Sequence, residues 1–253
     1  MPNGLRRVIR PIQTVTRRFA SWNYIAGAPT RMSAGVPDDE QTGTVDGPDP
    51  FVVVVAGGMA GSGIGLRTFH QGVASQLARG LAASTGRGVE WETVGGSTLK
   101  LAASTAELHR MPHLSEADVI VLSLGVADVL GFTPLRRWTT ELAELLRHLS
   151  AVSRPGVEII VTNVPDVSQH VQVGRRVAAM LRDDSRQFGE AAYALTLETP
   201  KCTFLALPPV ERTDFVDGAF SYPTLYRRWG QFLAQHVAAR QTRPGSEAEQ
   251  QQA

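Results

Sequence analysis

An uninterrupted apolar run at residues 51–56, Phe-Val-Val-Val-Val-Ala, constrains the fold of this chain more than any other feature. A short β-branched run of this kind is typical of a strand buried on both faces, as in a parallel sheet covered by helices. A glycine-rich segment at residues 57–65 follows the run, and an apolar stripe at helical spacing comes next, namely Leu66, Phe69, Val73, Leu77 and Leu81. The pattern predicts a strand, a tight turn and a helix that packs on the sheet.

The same alternation repeats along the rest of the chain. Apolar runs predict further strands at residues 89–94, 119–124, 157–161 and 203–207. Helical spacing predicts helices at residues 99–110 and 174–194, and two more around the stripes Leu135, Trp138, Leu142, Leu145, Leu149 and Leu225, Trp229, Phe232, Leu233. Alternation of this kind predicts a three-layer α/β/α doubly wound, flavodoxin-like parallel sheet of about five strands with right-handed crossovers. We expect it to form one domain over residues 51–240.

The two ends of the chain have a different character. In residues 1–33 the spacing predicts an amphipathic basic helix, with arginines between the apolar positions Leu5, Val8, Ile12, Val15, Phe19 and Trp22. Such a helix either packs on the domain or lies on an anionic membrane surface through residues 5–22, and we favour packing on the domain. Residues 34–50 are predicted to be a flexible linker, and residues 241–253 a disordered tail.

Composition narrows the classes of function. The formal net charge is +1, which gives no general field to attract nucleic acid. Cys202 is the single cysteine, so the chain cannot form an internal disulfide, and a cytoplasmic location is expected. We find no secretory signal pattern and no apolar run long enough to span a membrane, and we expect no cofactor and no metal. The expected partner is a small molecule or another protein, with peripheral membrane contact as an alternative.

In doubly wound sheets, ligands bind outside the carboxyl ends of the strands. Four loops therefore matter most: residues 57–65, 95–98 and 125–128, and the loop before the last helix. The glycine-rich loop lacks the lysine of a P-loop, and its glycine spacing gives no clear dinucleotide fingerprint. Nucleotide binding is thus not predicted.

These loops resemble the motifs of the SGNH/GDSL hydrolase family over residues 51–236. Gly57-Gly58-Met59 stands where the family has Gly-Asp-Ser, and Gly95-Gly96-Ser97-Thr98 follows a tryptophan-bearing strand. Leu124-Gly125-Val126-Ala127-Asp128-Val129 is similar to the family's Leu-Gly-Val-Asn-Asp-Val, and Asn163-Val164-Pro165 to its Gly-Val-Pro. Asp217-Gly218-Ala219-Phe220, ahead of Tyr226 and Trp229, matches Asp-x-x-His. The resemblance implies the predicted fold and a serine esterase, lipase or acyltransferase ancestry.

The resemblance also implies a role for each matched position. The nucleophilic serine corresponds to Met59, the oxyanion-hole glycine and asparagine to Gly96 and Ala127, the base to Phe220, and the residue that orients the base to Asp217. Methionine has no proton to lose and phenylalanine cannot transfer one, so the Ser–His mechanism is not available. We therefore expect an inactive homologue that binds an acyl, lipid or glycolipid group or a protein partner. Its expected ligand-binding residues are Gly57, Gly58, Gly95 and Asp128.

Three alternatives remain at this point. Ser62, in the glycine-rich loop, is a substitute nucleophile if His170 reaches it as a base; otherwise Ser62 is an N-cap. Met59 and Phe220 fill a cavity with no ligand at all. Asp128 and Asp217 are structural, capping a helix or accepting hydrogen bonds from loop amides.

Overall fold

The computed structural model describes residues 35–96, 100–166, 168, 174–217 and 219–241. The strands are β1 (Thr42–Val45), β2 (Phe51–Gly57), β3 (Val89–Gly95), β4 (Val119–Ser123), β5 (Glu158–Thr162), β6 (Cys202–Leu205), β7 (Phe215–Val216) and β8 (Ala219–Phe220). The helices are α1 (Met59–Ser62), α2 (Val73–Thr85), α3 (Leu101–Leu108), α4 (Val126–Leu130), α5 (Leu135–Val152), α6 (Arg175–Glu198) and α7 (Tyr222–Gln241). The predicted N-terminal helix and the tail after residue 241 lie outside the described residues.

Six strands form the main sheet in the order β1-β3-β2-β4-β5-β6. All neighbouring pairs are parallel except β1 with β3, which is antiparallel. β7 and β8, each two residues long, form a separate hairpin ahead of α7. The predicted doubly wound α/β/α fold is confirmed, with one more strand in the sheet than expected.

The two faces of the sheet bury two apolar clusters. Val53 and Val55 of β2 point to one face, where α2 and α7 pack, and Val54 and Ala56 point to the other, where α3, α5 and α6 pack. All four side chains are fully buried. Alternate residues of a strand point to opposite faces, so a strand covered on both sides needs apolar residues at every position. The run at residues 51–56 meets that requirement.

The prediction that residues 34–50 form a flexible linker is wrong for residues 42–45. These residues form β1, which pairs with β3 from Thr42 opposite Glu92 to Val45 opposite Val89. Ahead of β1, Pro37 is buried, and both carboxylate oxygens of Asp39 accept the Phe69 N–H. β1 is an edge strand with exposed Thr42 and Thr44, so its sequence lacks the apolar signal of the buried strands.

Helices α2 and α7 pack closely on one face of the sheet. A Cβ on Gly230 of α7 would lie 2.4 Å from the Cβ of Gln76, and one on Gly80 of α2 would lie 2.6 Å from that of Ala234. Both helices cross where neither can carry a larger side chain. Their packing holds the start of α7 beside the loop after α1. In the described residues, no helix combines the length and hydropathy needed to cross a bilayer.

Candidate functional site

The carboxyl ends of β2, β3 and β4 meet at one edge of the sheet. Gly57, the last residue of β2, is in register with Gly95 of β3 and Ser123 of β4. The Gly58 N–H donates to the Ser123 carbonyl at 3.2 Å, and a Cβ on Gly58 would lie 3.9 Å from the Gly96 oxygen. The structure thus brings the predicted glycine positions of the first and second loops together.

Helix α1 lies directly on the end of β3. A Cβ on Gly61 would lie 2.2 Å from the Val94 oxygen, and one on Gly95 would lie 2.0 Å from the Gly57 oxygen. No side chain fits at either position, so these glycines are explained by backbone packing. The buried Thr93 hydroxyl donates to the Val55 and Gly61 carbonyls at 3.1 and 3.4 Å, which ties α1 to β2. The backbone of Met59 begins α1 on this support.

Ser62, the alternative nucleophile, is the last residue of α1 and is 2% exposed. The N-cap of α1 is Gly58, so the reading of Ser62 as an N-cap is wrong. The Ser62 N–H instead donates to the Gly58 carbonyl at 3.2 Å, within the single turn of α1. Burial at this level leaves the Ser62 side chain out of reach of a substrate in this conformation.

The third loop begins at Gly125, whose φ of 113° lies in the left-handed region that favours glycine. The short helix α4 follows and carries Ala127, which is buried, at the position of the family asparagine. An alanine there offers no side-chain hydrogen-bond donor to an oxyanion. Loss of such a donor reduces transition-state stabilisation by about 3 kcal/mol in comparable oxyanion holes. The sequence did not predict α4, because five residues are too few to show a helical period.

Asp128, which we expected to contact a ligand, is 1% exposed and serves the scaffold instead. Its Oδ2 accepts the Leu101 N–H at 2.9 Å at the start of α3, and its Oδ1 accepts the Thr133 hydroxyl at 2.9 Å. Burial raises the pKa of this carboxyl, and the bonds from Leu101 and Thr133 lower it, with burial the larger effect. The structural alternative for Asp128 therefore agrees with the geometry.

The fourth loop is the β7–β8 hairpin. Asp217 lies in its turn with a φ of 50° and an exposed side chain, so it does not act as a buried residue that orients position 220. Phe220 ends β8, and its ring contacts Tyr222 edge-on with 4.8 Å between centroids. The Tyr222 ring covers Gly65, where a Cβ would lie 2.1 Å from it, and the Tyr226 hydroxyl donates to the Ile64 carbonyl at 3.3 Å. The first and last loops are therefore adjacent.

Sequence reasoning missed an ion pair that anchors this hairpin. Asp214 is 0% exposed, accepts the Glu211 N–H at 2.7 Å and pairs with the Arg228 guanidinium of α7. Arg228 Nε donates to Asp214 Oδ1 at 3.3 Å, and its Nη1 also pairs with Glu211. The two partners are fourteen residues apart with no periodic relation, so no local pattern could have revealed the pair.

A cavity of about 230 Å³ opens at the carboxyl ends of β5 and β6. Its lining is mostly apolar and comprises Asn163, Pro165, Asp166, Leu207, Pro208, Pro209, Val210 and Trp229. The Asn163 Oδ1 accepts the Leu207 N–H at 2.7 Å, which joins the two strand ends. Within the described ranges, no group of three or more His, Cys, Asp or Glu side chains is arranged to hold a metal ion.

The histidines of the described residues are engaged with other parts of the fold. His70 contacts the Trp91 ring edge-on, and His109 contacts His148 in the same way. His236 lies 3.1 Å from a Glu158 carboxylate oxygen at the start of β5, and His113 approaches Glu92. His170, the base of the relocated mechanism, lies outside the described residues, as do residues 97–99.

Solved structures with this architecture include proteins described as esterases. TesA matches with a TM-score of 0.52 and 18% identity over 76% of this chain and 98% of its own. A carbohydrate acetylesterase from Sinorhizobium meliloti, Est24, matches with a TM-score of 0.53 and 15% identity, over 75% of this chain and 99% of its own. A protein described as a GDSL-like lipase, from Parabacteroides merdae, matches with a TM-score of 0.55 and 14% identity, over 76% of this chain and 98% of its own. At these identities the likeness shows a shared fold.

The sequence itself matches a family model. No curated protein matches the chain. The model of the GDSL-like lipase/acylhydrolase family, however, aligns with residues 59–232, from α1 through most of α7. That range contains the first loop from Met59 onward, the other three loops in full, and more than half of the chain. The chain therefore belongs to the GDSL-like lipase/acylhydrolase family.

Proposed function

We propose that this chain is a non-catalytic member of its family, which binds an acyl, lipid or glycolipid group at the carboxyl edge of the sheet. The observation that carries the proposal is the identity of the residues at the two positions essential to covalent catalysis, Met59 and Phe220. Acyl transfer needs a nucleophile that loses a proton and a base that accepts it. A thioether and a phenyl ring do neither, and loss of either triad member alone removes most of the covalent rate.

Burial of Ser62 supports the proposal against a relocated hydrolase. A substitute nucleophile must lie within hydrogen-bond reach of a base and be open to the substrate. Ser62 is 2% exposed, and the described histidines contact partners elsewhere in the fold. The competing activity, an ester hydrolase or acyltransferase with Ser62 as nucleophile, therefore requires α1 to rearrange.

The chemistry around the four loops favours an apolar ligand with few polar groups. Phe220 and Tyr222 lie beside the glycine-rich loop, and the cavity beyond β5 and β6 has a proline-rich wall. Apolar walls with a small number of fixed hydrogen-bonding groups are typical of small-molecule sites. Est24 is described as a carbohydrate acetylesterase, so an acylated sugar is included in the proposed ligand class.

Labelling with a fluorophosphonate probe tests the absence of catalysis. We expect no labelling of the purified full chain under conditions that label an active serine esterase to completion. A Ser62→Ala variant is the matched control. Stoichiometric labelling of the parent chain that disappears in Ser62→Ala would overturn the proposal in favour of the relocated hydrolase.

A fluorescent fatty acid, such as cis-parinaric acid, tests the binding role. We expect saturable binding to the full chain, weakened by Phe220→Ala because the aromatic surface beside the loop is removed. Tyr193→Ala on α6 is the control, since Tyr193 is also aromatic and is 51% exposed on a different part of the surface. Absence of saturable binding would contradict an acyl ligand and favour a protein partner.

A further inference from the structure

Half of the large exposed apolar side chains of the described residues lie at one corner of the domain. The large apolar residues with high exposure in the described part of the chain are Val36, Val152, Tyr193, Leu197, Phe215 and Val216. Val36, Phe215 and Val216 belong to two segments that meet beside the glycine-rich loop, as the contacts below show. We call these three residues the apolar corner. Side chains of this size exposed together, rather than singly, mark an interaction surface.

A chain of contacts joins the two segments of the apolar corner. The Gly35 carbonyl accepts the Gly65 N–H at 3.1 Å, and the Tyr222 ring covers Gly65. The Phe220 ring lies 4.8 Å from that of Tyr222, and the Phe215 ring lies 5.5 Å from that of Phe220. Val36 and the β7–β8 hairpin are therefore separated by little more than two aromatic rings.

The N-terminal segment leaves the domain at this same corner. The described chain begins at Gly35, so residues 1–34 join the domain next to Val36. Residues 22–35 can extend by about 3.3 Å per residue, far more than the aromatic contacts between Gly35 and Phe215 require. The apolar stripe in residues 5–22 can thus reach Phe215 and Val216 of its own chain.

Charge favours the same contact. Residues 1–33 contain six arginines and no acidic residue. The segments that frame the corner, residues 36–40 and 211–217, contain the acidic residues Asp38, Asp39, Glu40, Glu211, Asp214 and Asp217 and one basic residue, Arg212. Asp214 is paired with Arg228, but Asp38, Glu40 and Asp217 are exposed. Opposite charges on the two surfaces favour their association and fix its orientation.

We propose that the apolar stripe in residues 5–22 docks on the apolar corner of its own chain, with its arginines facing the surrounding carboxylates. The docked segment covers Phe215 and Val216 on the hairpin that carries Phe220. The contact does not depend on which ligand the candidate site binds.

Thiol labelling of the full chain tests the contact. Cys202→Ser removes the native thiol, and Val216→Cys or Val152→Cys then introduces a single probe site. Val216 and Val152 are 53% and 43% exposed in the described residues, so their intrinsic access is similar. We expect Cys at 216 to react with a maleimide at least about tenfold more slowly than Cys at 152, because labelling must wait for the segment to detach.

Paired charge substitutions test whether the apolar stripe in residues 5–22 is what protects position 216 from labelling. Val15→Asp with Phe19→Asp places two carboxylates in the stripe and should raise the rate at position 216 to that at position 152. Gln13→Asp with Ser21→Asp adds the same charge outside the stripe and should leave position 216 slow. Neither pair should change the rate at position 152.

Three outcomes would overturn the proposal. The first is an equal labelling rate at positions 216 and 152 in the full chain without added lipid. If labelling at position 216 then slows only when vesicles containing phosphatidylserine are added, the segment binds a membrane instead. The second is protection of position 216 from the maleimide that decreases on dilution, together with a dimer in analytical sedimentation. That result would show that a second copy of the chain covers the apolar corner. The third is protection that survives Val15→Asp with Phe19→Asp.

Discussion

Two buried carboxylates hold loops at the carboxyl edge of the sheet. Asp128 satisfies the first amide of α3 and the Thr133 hydroxyl, and Asp214 satisfies the Glu211 amide and the Arg228 guanidinium. A buried carboxylate is tolerated only when its oxygens have partners, because the lost hydration is otherwise uncompensated. These two residues therefore fix where Ala127 and Phe220 stand.

The pKa of Asp128 provides a test of its burial. We expect NMR titration to give a pKa above 3.8, since desolvation outweighs the two hydrogen bonds. Thr133→Val should raise it further, because the Thr133 bond lowers the pKa. Thr139→Val, which loses a bond to the Leu135 carbonyl only, should leave it unchanged. A pKa at or below 3.8 in the parent chain would contradict the burial.

The direction of this shift sets a pH dependence of stability. The Asp128 carboxyl binds its proton more tightly in the folded chain than in the unfolded chain, where its pKa is near the ordinary 3.8. The stabilisation from this group is therefore complete below pH 3.8 and is lost as the pH rises through the folded pKa.

Arg228→Met should destabilise the fold strongly. The substitution leaves the Asp214 carboxylate, at 0% exposure, without its cationic partner, and breaking a buried pair in this way costs about 3–5 kcal/mol. Arg186→Met is the control, since its ion pairs with Asp183 and Glu190 are exposed and such pairs contribute about 0–1 kcal/mol. Urea unfolding of both variants measures the difference. Similar losses in the two would show that Asp214 does not depend on Arg228.

At the scale of elements, the sequence predicted the buried parallel strands and missed the exposed edge strand β1 and the five-residue helix α4. The parallel strands β2, β4 and β5 are apolar at nearly every position because both their faces are covered, and their runs were visible. β1 has polar, half-exposed residues and pairs along one edge only, so tertiary pairing decides its structure. The loops were predicted by resemblance, whereas the roles of Asp128 and Asp214 depend on partners distant in sequence.

The contact between α2 and α7 yields a prediction with a built-in control. Gly230→Ala should destabilise the fold, because the new Cβ would lie 2.4 Å from the Gln76 Cβ and 2.9 Å from the Leu77 nitrogen. Gly189→Ala, inside α6 with no atom within 4 Å, should instead stabilise by about 0.5–1 kcal/mol through helix propensity. Thermal unfolding distinguishes the two signs, and equal shifts would mean that the helices separate at no cost.

At the scale of the whole molecule, most of the core lies apart from the matched family positions. The two apolar clusters come mainly from strands and long helices, whereas the matched positions lie on short elements at one edge, where Phe220 packs against one of the clusters. Changes at the turns therefore leave most of the buried apolar surface untouched. A family member can lose its catalytic side chains and still fold.

Restoring the family residues tests this separation. The change Gly58→Asp, Met59→Ser, Ala127→Asn and Phe220→His should give p-nitrophenyl ester hydrolysis above that of the parent chain. Gly58 has room for the new side chain, since its φ is −65° and the nearest atom to a Cβ, the Gly96 oxygen, would be 3.9 Å away. The matched control carries Met59→Ala in place of Met59→Ser. A folded quadruple variant no faster than that control would show that these positions do not converge.

The edge strand β1 has a mechanical consequence. It runs antiparallel to β3 for four residues and is the first strand of the described chain. Tension applied through the N-terminal segment therefore reaches the β1–β3 ladder once the Gly35–Gly65 and Asp39–Phe69 hydrogen bonds have broken. The parallel strands behind it are enclosed by helices and are loaded only afterwards. Pulling on residues 1–34 would therefore detach β1 from the sheet and expose the edge of β3 while the rest of the domain stays folded.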